Sequence, residues 1–460
     1  TPGIKRWTQK FTVGYEGFYW PNTDGVADNE GREWSFPTLF QPSDSAFVLL
    51  TEANILRDNT GAYLTNAADS SIYKIKLSDE RLICPSGWYS PWRVAIIGTL
   101  ADIVESTLVT DVSEPCKIQD TQWIKPGLVS WIYWAYNHGS KDYQIVKKYI
   151  DFAADFDLPY MLIDWEWDEM SNGGNLQDAV KYTLNKGIKP LLWYNSSTNW
   201  IGPGPLFRLN KKQDREKEYA WLSEMGIAGI KVDFFSGDSV STMNYYIDLL
   251  EDAIKYKLML NFHGATIPRG WQRTYPHMMS VEGVYGAEWY NNAPILTNRA
   301  AEHNATLPFT RNVVGPMDYT PGTFSNSQHP HITSYAHELA LPVIFESALQ
   351  HMPDRPSVYY GLPEPVKRFL SELPVAWDDT KLLAGYPGEE VILARRKGDV
   401  WYIGGINGTN ETKTLHISLD KIAVNGKKIS IFKDGIDDKH FAIEENIPLA
   451  NVKSDLTIEC

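Results

Sequence analysis

Eight short apolar runs recur between residues 127 and 347, separated by helical or loop segments: "GLVSWIYW", "YMLIDWEW", "KPLLWYN", "GIKVDFF", "KLMLNFHG", "MSVEGV", "FTRNVVG" and "LPVIFES". Strands that are buried on both faces of a parallel sheet read as continuous apolar runs, and helical crossovers must join them. The pattern predicts an α/β fold with a central (β/α)8 TIM barrel over residues 123–374. Helices are expected over 141–156, 212–225 and 240–256. On either side the language changes. Residues 1–122 carry alternating stretches such as "AFVLLTEA" and "SIYKIKL" among frequent Gly, Pro, Asn and Asp, which predicts an N-terminal β-sandwich domain and linker. Residues 375–460 return to short strands, with "KGD" as a hairpin turn inside "EVILARRKGDVWYIGGING", and predict a C-terminal all-β sandwich domain.

In a barrel of this kind, chemistry gathers at the carboxyl ends of the strands. The second run ends in Asp164, Trp165 and Glu166, the third in Trp193 and Asn195, the fourth in Lys231 and Asp233, and the fifth in Asn261 and His263. Glu282 and Glu288 surround the sixth; Arg311 and Asp318 follow. Lys231 and Asp233 stand two apart in an otherwise apolar strand, so they share one face. Any one of these residues alone could be a structural charge at a strand end. Their convergence on one mouth points to a site.

Other classes lose their warrants. The chain carries 43 basic and 57 acidic residues for a net charge of −14, with no basic run to track phosphates, which argues against nucleic acid. No apolar run reaches the 18 residues of a membrane span, and a chain beginning at Thr1 is expected to have lost or never included a targeting segment. Cys84, Cys116 and Cys460 have no metal-type spacing, and one of them must stay unpaired within the chain. Nucleotide, zinc-protease and serine-hydrolase motifs are absent. Paired carboxylates among aromatics instead suit glycoside hydrolysis, in which one carboxyl protonates the leaving oxygen and the other attacks the anomeric carbon or activates water. A cation beside the second keeps it ionised. Two competitors stand: Lys231 as a Schiff-base lysine in an aldolase-like barrel, and a non-catalytic carbohydrate-binding protein or inactive fragment.

The run "NFHGATIPRGWQRTYPHMMSVEGVYGAEWY", together with "YMLIDWEW", "LLWYNSS", "GIKVDFF" and "HNATLPFTRNVVGPMDYTPGTF", strongly resembles glycoside hydrolase family 97 along the whole chain. The resemblance implies a large N-terminal β-super-sandwich, of which the N-terminal zone here is about half, a barrel and a C-terminal β domain. Inverting members carry Glu after the fifth-strand His and another Glu near the end of the third strand; here those places hold Gly264 and Asn195. Retaining members use an Asp at the end of the fourth strand, where Asp233 stands. The resemblance therefore implies a retaining enzyme with Asp233 as nucleophile and Glu288, in "GAEW", as acid/base.

It also implies a Ca²⁺ ion held by Glu52, Glu282 and Glu288, with Glu52 in "LLTEAN" supplied by the N-terminal domain; hard calcium suits such oxygens. Water or Asn261 would replace the carboxylate that Gly264 lacks. Asp164, Trp193, Lys231, His263, Arg273 and Arg311 are the expected substrate-binding residues. Plainer readings are a loop anchor for Arg273, a buried structural imidazole for His263, and a lock on the "PMDYTP" loop for Asp318. Retaining members resemble α-galactosidases, with α-glucosidase as the alternative, and an oligosaccharide or α-glycoside is the expected substrate. Periplasmic or cell-surface placement is the expectation that follows.

Overall fold

The computed structural model describes residues 4–22, 32–67, 70, 72–136, 139–202, 204–330, 332–422, 426–449 and 455–458. Cys460 lies outside them, while Cys84 and Cys116 are free and exposed.

Seven parallel strands form the central sheet, which is nearly closed into a barrel. In spatial order they are Met278–Val281, Met259–Phe262, Gly229–Asp233, Lys189–Asn195, Tyr160–Ile163, Gly127–Trp131 and Leu349–Met352. The first six runs thus form neighbouring strands in chain order, and the last strand of the sheet pairs with the first. Every residue of Gly229–Asp233 is buried, because one face meets the helices and the other the barrel interior. Helices Tyr143–Asp155, Lys212–Met225 and Val240–Ile254 occupy the three expected stretches.

Two runs do not form strands. "FTRNVVG" falls in the 3-10 turns Leu307–Phe309 and Arg311–Val314, and the start of "LPVIFES" completes the helix Tyr335–Ile344. Pro308 and Pro342 give the reason. A proline has no N–H for a central ladder, and both runs sit beside or on one. The last strand lies just beyond, at Leu349–Met352. Between the sixth and last strands, residues 317–319 take the missing place: Met317 N donates to Glu346 O at 2.8 Å, Asp318 N to Val281 O at 3.0 Å, and Ala287 N to Tyr319 O at 2.9 Å. This stretch delivers Asp318 to the barrel interior.

The N-terminal region holds a five-stranded antiparallel sheet (Tyr19–Trp20, Lys5–Gln9, Thr38–Ser43, Ala46–Ala53, Trp92–Gly98) and a three-stranded one (Glu33–Trp34, Ala62–Thr65, Lys74–Leu77). Its buried Trp7, Trp34 and Leu49 belong to one apolar cluster with Val129, Trp131 and Leu162 of the barrel strands. The sheet is therefore packed on the barrel through a shared core. At the other end, Asp379–Tyr386, Glu390–Lys397 and Val400–Asn407 form an antiparallel sheet, with Lys397 paired to Val400 across the Gly398–Asp399 turn. Arg395 ties it to the barrel by donating from Nε to Val343 O and from Nη2 to Ile344 O, each at 2.8 Å.

Candidate active site

At the carboxyl ends of the strands a pocket of about 260 Å³ opens between the barrel and the N-terminal region. Register sets its chemistry. Trp193 is paired with Lys231, and Asn195 with Asp233, so the third and fourth strands present indole, ammonium and carboxylate side by side. Trp193 Nε1 donates to Asp233 Oδ2 at 3.2 Å, and Phe234 N to Asp233 Oδ1 at 2.8 Å. Both donors favour the ionised form.

Lys231 is buried yet well paired. Its Nζ lies 3.4 Å from Asp164 Oδ2, 3.5 Å from Glu288 Oε1 and 4.5 Å from the centre of the Trp131 ring. Burial alone would favour the neutral amine, but Asp164, Glu288, Asp233 and Glu282 outweigh it and hold the ammonium above its ordinary pKa. A neutral amine for a Schiff base is therefore disfavoured. Asp164 is fixed in turn by Trp131 Nε1 at 2.7 Å and Trp165 N at 2.8 Å.

Burial pushes Asp233 up to about 7 against the pull of Lys231 and His263. At Glu288 burial acts in the same sense, but Lys231 and His263 overcome it and draw the carboxyl down to about 2. Lys231 and His263 thus act on both carboxylates at once, and the roles of the two rest on position and partners.

His263 is central to the far wall. Its Nδ1 lies 3.3 Å from Glu288 Oε1 and 3.4 Å from Glu282 Oε1, and its Nε2 lies 2.7 Å from Asp318 Oδ2. Glu282 Oε2 accepts from Gly264 N at 2.7 Å. Glu16, from the N-terminal region, completes the group: burial, followed by the charges of Glu282, Glu288 and Asp233, pushes its carboxyl well above the ordinary range, and it hydrogen-bonds Glu282. Three glutamates crowded in one buried corner repel one another, and a divalent cation with a preference for hard oxygens would relieve that repulsion. Glu282, Glu288 and His263 bring ligand atoms within 4.8 Å of one another, and the two carboxylates of this group, with Glu16 nearby, suit calcium.

Among the ten residues singled out from sequence, Asp164, Trp193, Lys231, Asp233, Glu282 and Glu288 line the pocket, and His263 backs it. Three stand elsewhere. Glu52 is buried and ion-paired with Arg93 and Arg269, so the N-terminal carboxylate at the site is Glu16 instead. Arg273 donates from Nη1 to Thr110 O at 2.8 Å and Asp111 O at 3.0 Å, anchoring the short helix Leu108–Asp111 that precedes the barrel. Arg311 spends its guanidinium on the carbonyls of Val281, Glu282, Gly283, Gly315 and Pro316 and so braces the loop after the sixth strand. Sequence reasoning missed Glu16, Tyr133, Trp200 and Trp289 in the lining. The one signal for Glu16 was a carboxylate set between glycines in the aromatic stretch "GYEGFYW".

A barrel mouth with clustered carboxylates, a buried ammonium and indole faces has the groups that glycoside hydrolysis requires. The chain belongs to glycoside hydrolase family 97: the N-terminal model of that family matches residues 2–115, the glycoside hydrolase 97 model 125–284, and the C-terminal, oligomerisation model 376–460. Over 385 residues it is 35% identical to a "probable retaining alpha-galactosidase" of Streptomyces bingchenggensis, covering 81% of this chain and 58% of the relative. Over 371 residues it is 33% identical to a "retaining alpha-galactosidase" of Bacteroides thetaiotaomicron, covering 75% and 54% respectively. The chain thus spans just over half the length of these relatives. Among solved structures, a beta-arabinopyranosidase superposes with a TM-score of 0.88 at 28% identity, over 99% of this chain and 77% of that one. A family 97 enzyme of Pseudoalteromonas sp. strain K8 in complex with acarbose gives 0.80 at 23%, with the same coverage, and shares the fold.

Proposed function

We propose that this chain is the catalytic part of a retaining, exo-acting α-galactosidase with Asp233 as nucleophile and Glu288 as acid/base. The observation that carries the reading is the placement of Asp233 at the end of the fourth strand, its carboxylate held by Trp193 and Phe234, in the same pocket as Glu288. Both relatives above 30% identity bear a retaining α-galactosidase name, which supports it. A pocket of about 260 Å³ is small among ligand sites, which suits one terminal sugar ring and exo-action.

In the first step an Asp233 oxygen forms a bond to the anomeric carbon while the glycosidic C–O bond breaks, and Glu288 gives its proton to the departing oxygen. The product is a β-linked galactosyl ester on Asp233. In the second step Glu288 takes a proton from water, whose oxygen attacks the same carbon and releases Asp233, restoring the α configuration. Lys231 and Asp164 hold the charge balance of the pocket, and Trp165, Trp193 and Trp200 offer flat faces to the sugar. Glu16, Glu282 and Glu288 would hold calcium, which would supply a fixed positive charge near the reacting oxygens. Exported placement, periplasmic or at the cell surface, is part of the same proposal.

A second reading, β-L-arabinopyranosidase, draws on the 0.88 superposition. β-L-Arabinopyranose has the ring stereochemistry of α-D-galactopyranose without the exocyclic CH₂OH, so one pocket can serve either. For α-glucosidase the support is likeness of fold alone. The test is NMR of the first-formed sugar from 4-nitrophenyl α-galactoside, with the β-L-arabinopyranoside and α-glucoside in parallel and Asp233→Ala as control. Initial α-galactose that is lost in the variant is expected; initial β-galactose would sink the retaining assignment.

A further inference from the structure

Asp318 is buried at the barrel's interior, where four chain segments meet. Its carboxylate accepts from Asn261 Nδ2 at 2.6 Å and pairs with His263 Nε2 at 2.7 Å, both at Oδ2. His351 Nδ1, from the last strand, lies 3.0 Å from Oδ1. None of these partners belongs to the "PMDYTP" loop. Asp354 shows what a loop lock looks like here: it takes Phe324 N and Ser325 N, each at 2.8 Å, and Ser325 Oγ at 2.7 Å. Asp318 spends its oxygens on side chains from the strand ends instead.

The consequence lies at the other edge of the imidazole. A ring fixed at Nε2 on a buried carboxylate has its Nδ1 direction fixed as well, as when a carboxylate orients a metal-bound histidine from behind. Here Nδ1 lies within ion-pair reach of Glu288 Oε1 and Glu282 Oε1, 3.3 and 3.4 Å away and off the line of a hydrogen bond to either, so the imidazole acts on them through its charge. We propose that Asp318, backed by Asn261 and His351, is a positioning residue for the acid/base: through His263 it fixes the Glu288 carboxyl against the leaving-group oxygen. The proposal rests on Glu288 being the acid/base.

The test compares kcat/KM for an α-galactosyl disaccharide, whose leaving group needs a proton, with that for 2,4-dinitrophenyl α-galactoside, whose leaving group does not. The variants are Asp318→Asn, Glu288→Gln and the double variant. An amide at 318 keeps the shape but turns one acceptor into a donor facing donors. Asp318→Asn should lower the disaccharide value tenfold or more, leave the dinitrophenyl value within about threefold, and add nothing further in the Glu288→Gln background, because residues acting through one another are not additive. Equal losses on both substrates, or a loss that persists in the Glu288→Gln background, would overturn the proposal and make Asp318 merely structural. If Glu288→Gln itself fails to separate the substrates, the acid/base reading fails and takes this inference with it. Should Asp318→Asn not fold, His351→Gln loosens the same carboxylate from behind, away from the pocket lining, and must give a smaller split in the same sense.

Discussion

Arg269 Nε donates to Glu52 Oε1 at 2.6 Å with both side chains fully buried, and this pair fastens the N-terminal sheet to the loop after the fifth barrel strand. Arg269 Nη2 also meets Asp238 Oδ2 at 2.6 Å and Tyr15 OH at 2.7 Å. Tyr15 is the residue before Glu16, so the fastening and the pocket are neighbours in the chain. Breaking one member of a buried network leaves the others undercompensated, although Arg269 keeps Asp238 as its second carboxylate. Glu52→Gln is expected to cost less than the roughly 3–5 kcal/mol of a fully stranded charge in denaturant unfolding and to leave calorimetric calcium affinity unchanged, whereas Glu16→Gln should weaken that affinity. An equal loss of affinity in both would return Glu52 to the metal site.

Trp193 donates its indole N–H to Asp233 across 3.2 Å, and no other atom of the ring can do so. Trp193→Phe keeps the flat face and removes the donor. A hydrogen bond to a charged group is worth about 1.5–3 kcal/mol, so kcat should fall roughly ten- to hundredfold. The change in KM should be small. A variant that loses affinity with kcat intact would mean the indole serves sugar stacking and leaves the carboxylate alone.

Much of this was legible beforehand, for definable reasons. Strands such as Gly229–Asp233 are buried on both faces, so their apolar runs and the polar residues at their ends stand out in sequence. The seventh and eighth runs misled because an apolar stretch can be buried as a helix as readily as a strand, and the prolines at 308 and 342 were the discriminating signal. Residue type could not separate Lys231, which faces the pocket, from Arg311, which braces backbone carbonyls behind it. Glu16 was hidden because its position is set by the way the N-terminal sheet docks on the barrel, a relationship that no local pattern encodes.

His277 and His303 sit buried and uncharged, each with Nε2 on a backbone carbonyl at 2.9 Å, those of Leu250 and Tyr285. Burial draws both down to about 4, from an ordinary value of 6.5. A depressed histidine means that the unfolded chain binds protons the folded one refuses. The stability they confer is therefore complete above pH 6.5 and lost as pH falls toward 4. Each contributes on the order of 3 kcal/mol across that window. Tm should drop steeply between pH 6.5 and 4, and His277→Gln should flatten part of that slope. A slope unchanged in the variant would place the acid sensitivity elsewhere.

Gly264 separates the two halves of the site, and its missing side chain matters more than its flexibility. Its φ is +48°, in the left-handed region, and its N–H donates to Glu282 Oε2. A Cβ at this position would lie 2.9 Å from Phe234 N and 3.0 Å from Asp233 Oδ1. The Phe234 backbone is pinned by its own bonds to His263 O and Asp233 Oδ1, so relief at 264 must move this backbone turn together with the Asp233 carboxylate bonded to it. Gly264→Ala should therefore cost stability beyond the left-handed backbone penalty of about 1–2 kcal/mol, because the Phe234 backbone must shift, and lose activity as Asp233 shifts with it. Displacing a reacting group by about 1 Å can cost 10²-fold, which is the drop expected in kcat/KM. Near wild-type turnover in Gly264→Ala, measured on 4-nitrophenyl α-galactoside beside an unchanged Tm, would show that Asp233 is oriented by something other than this cradle.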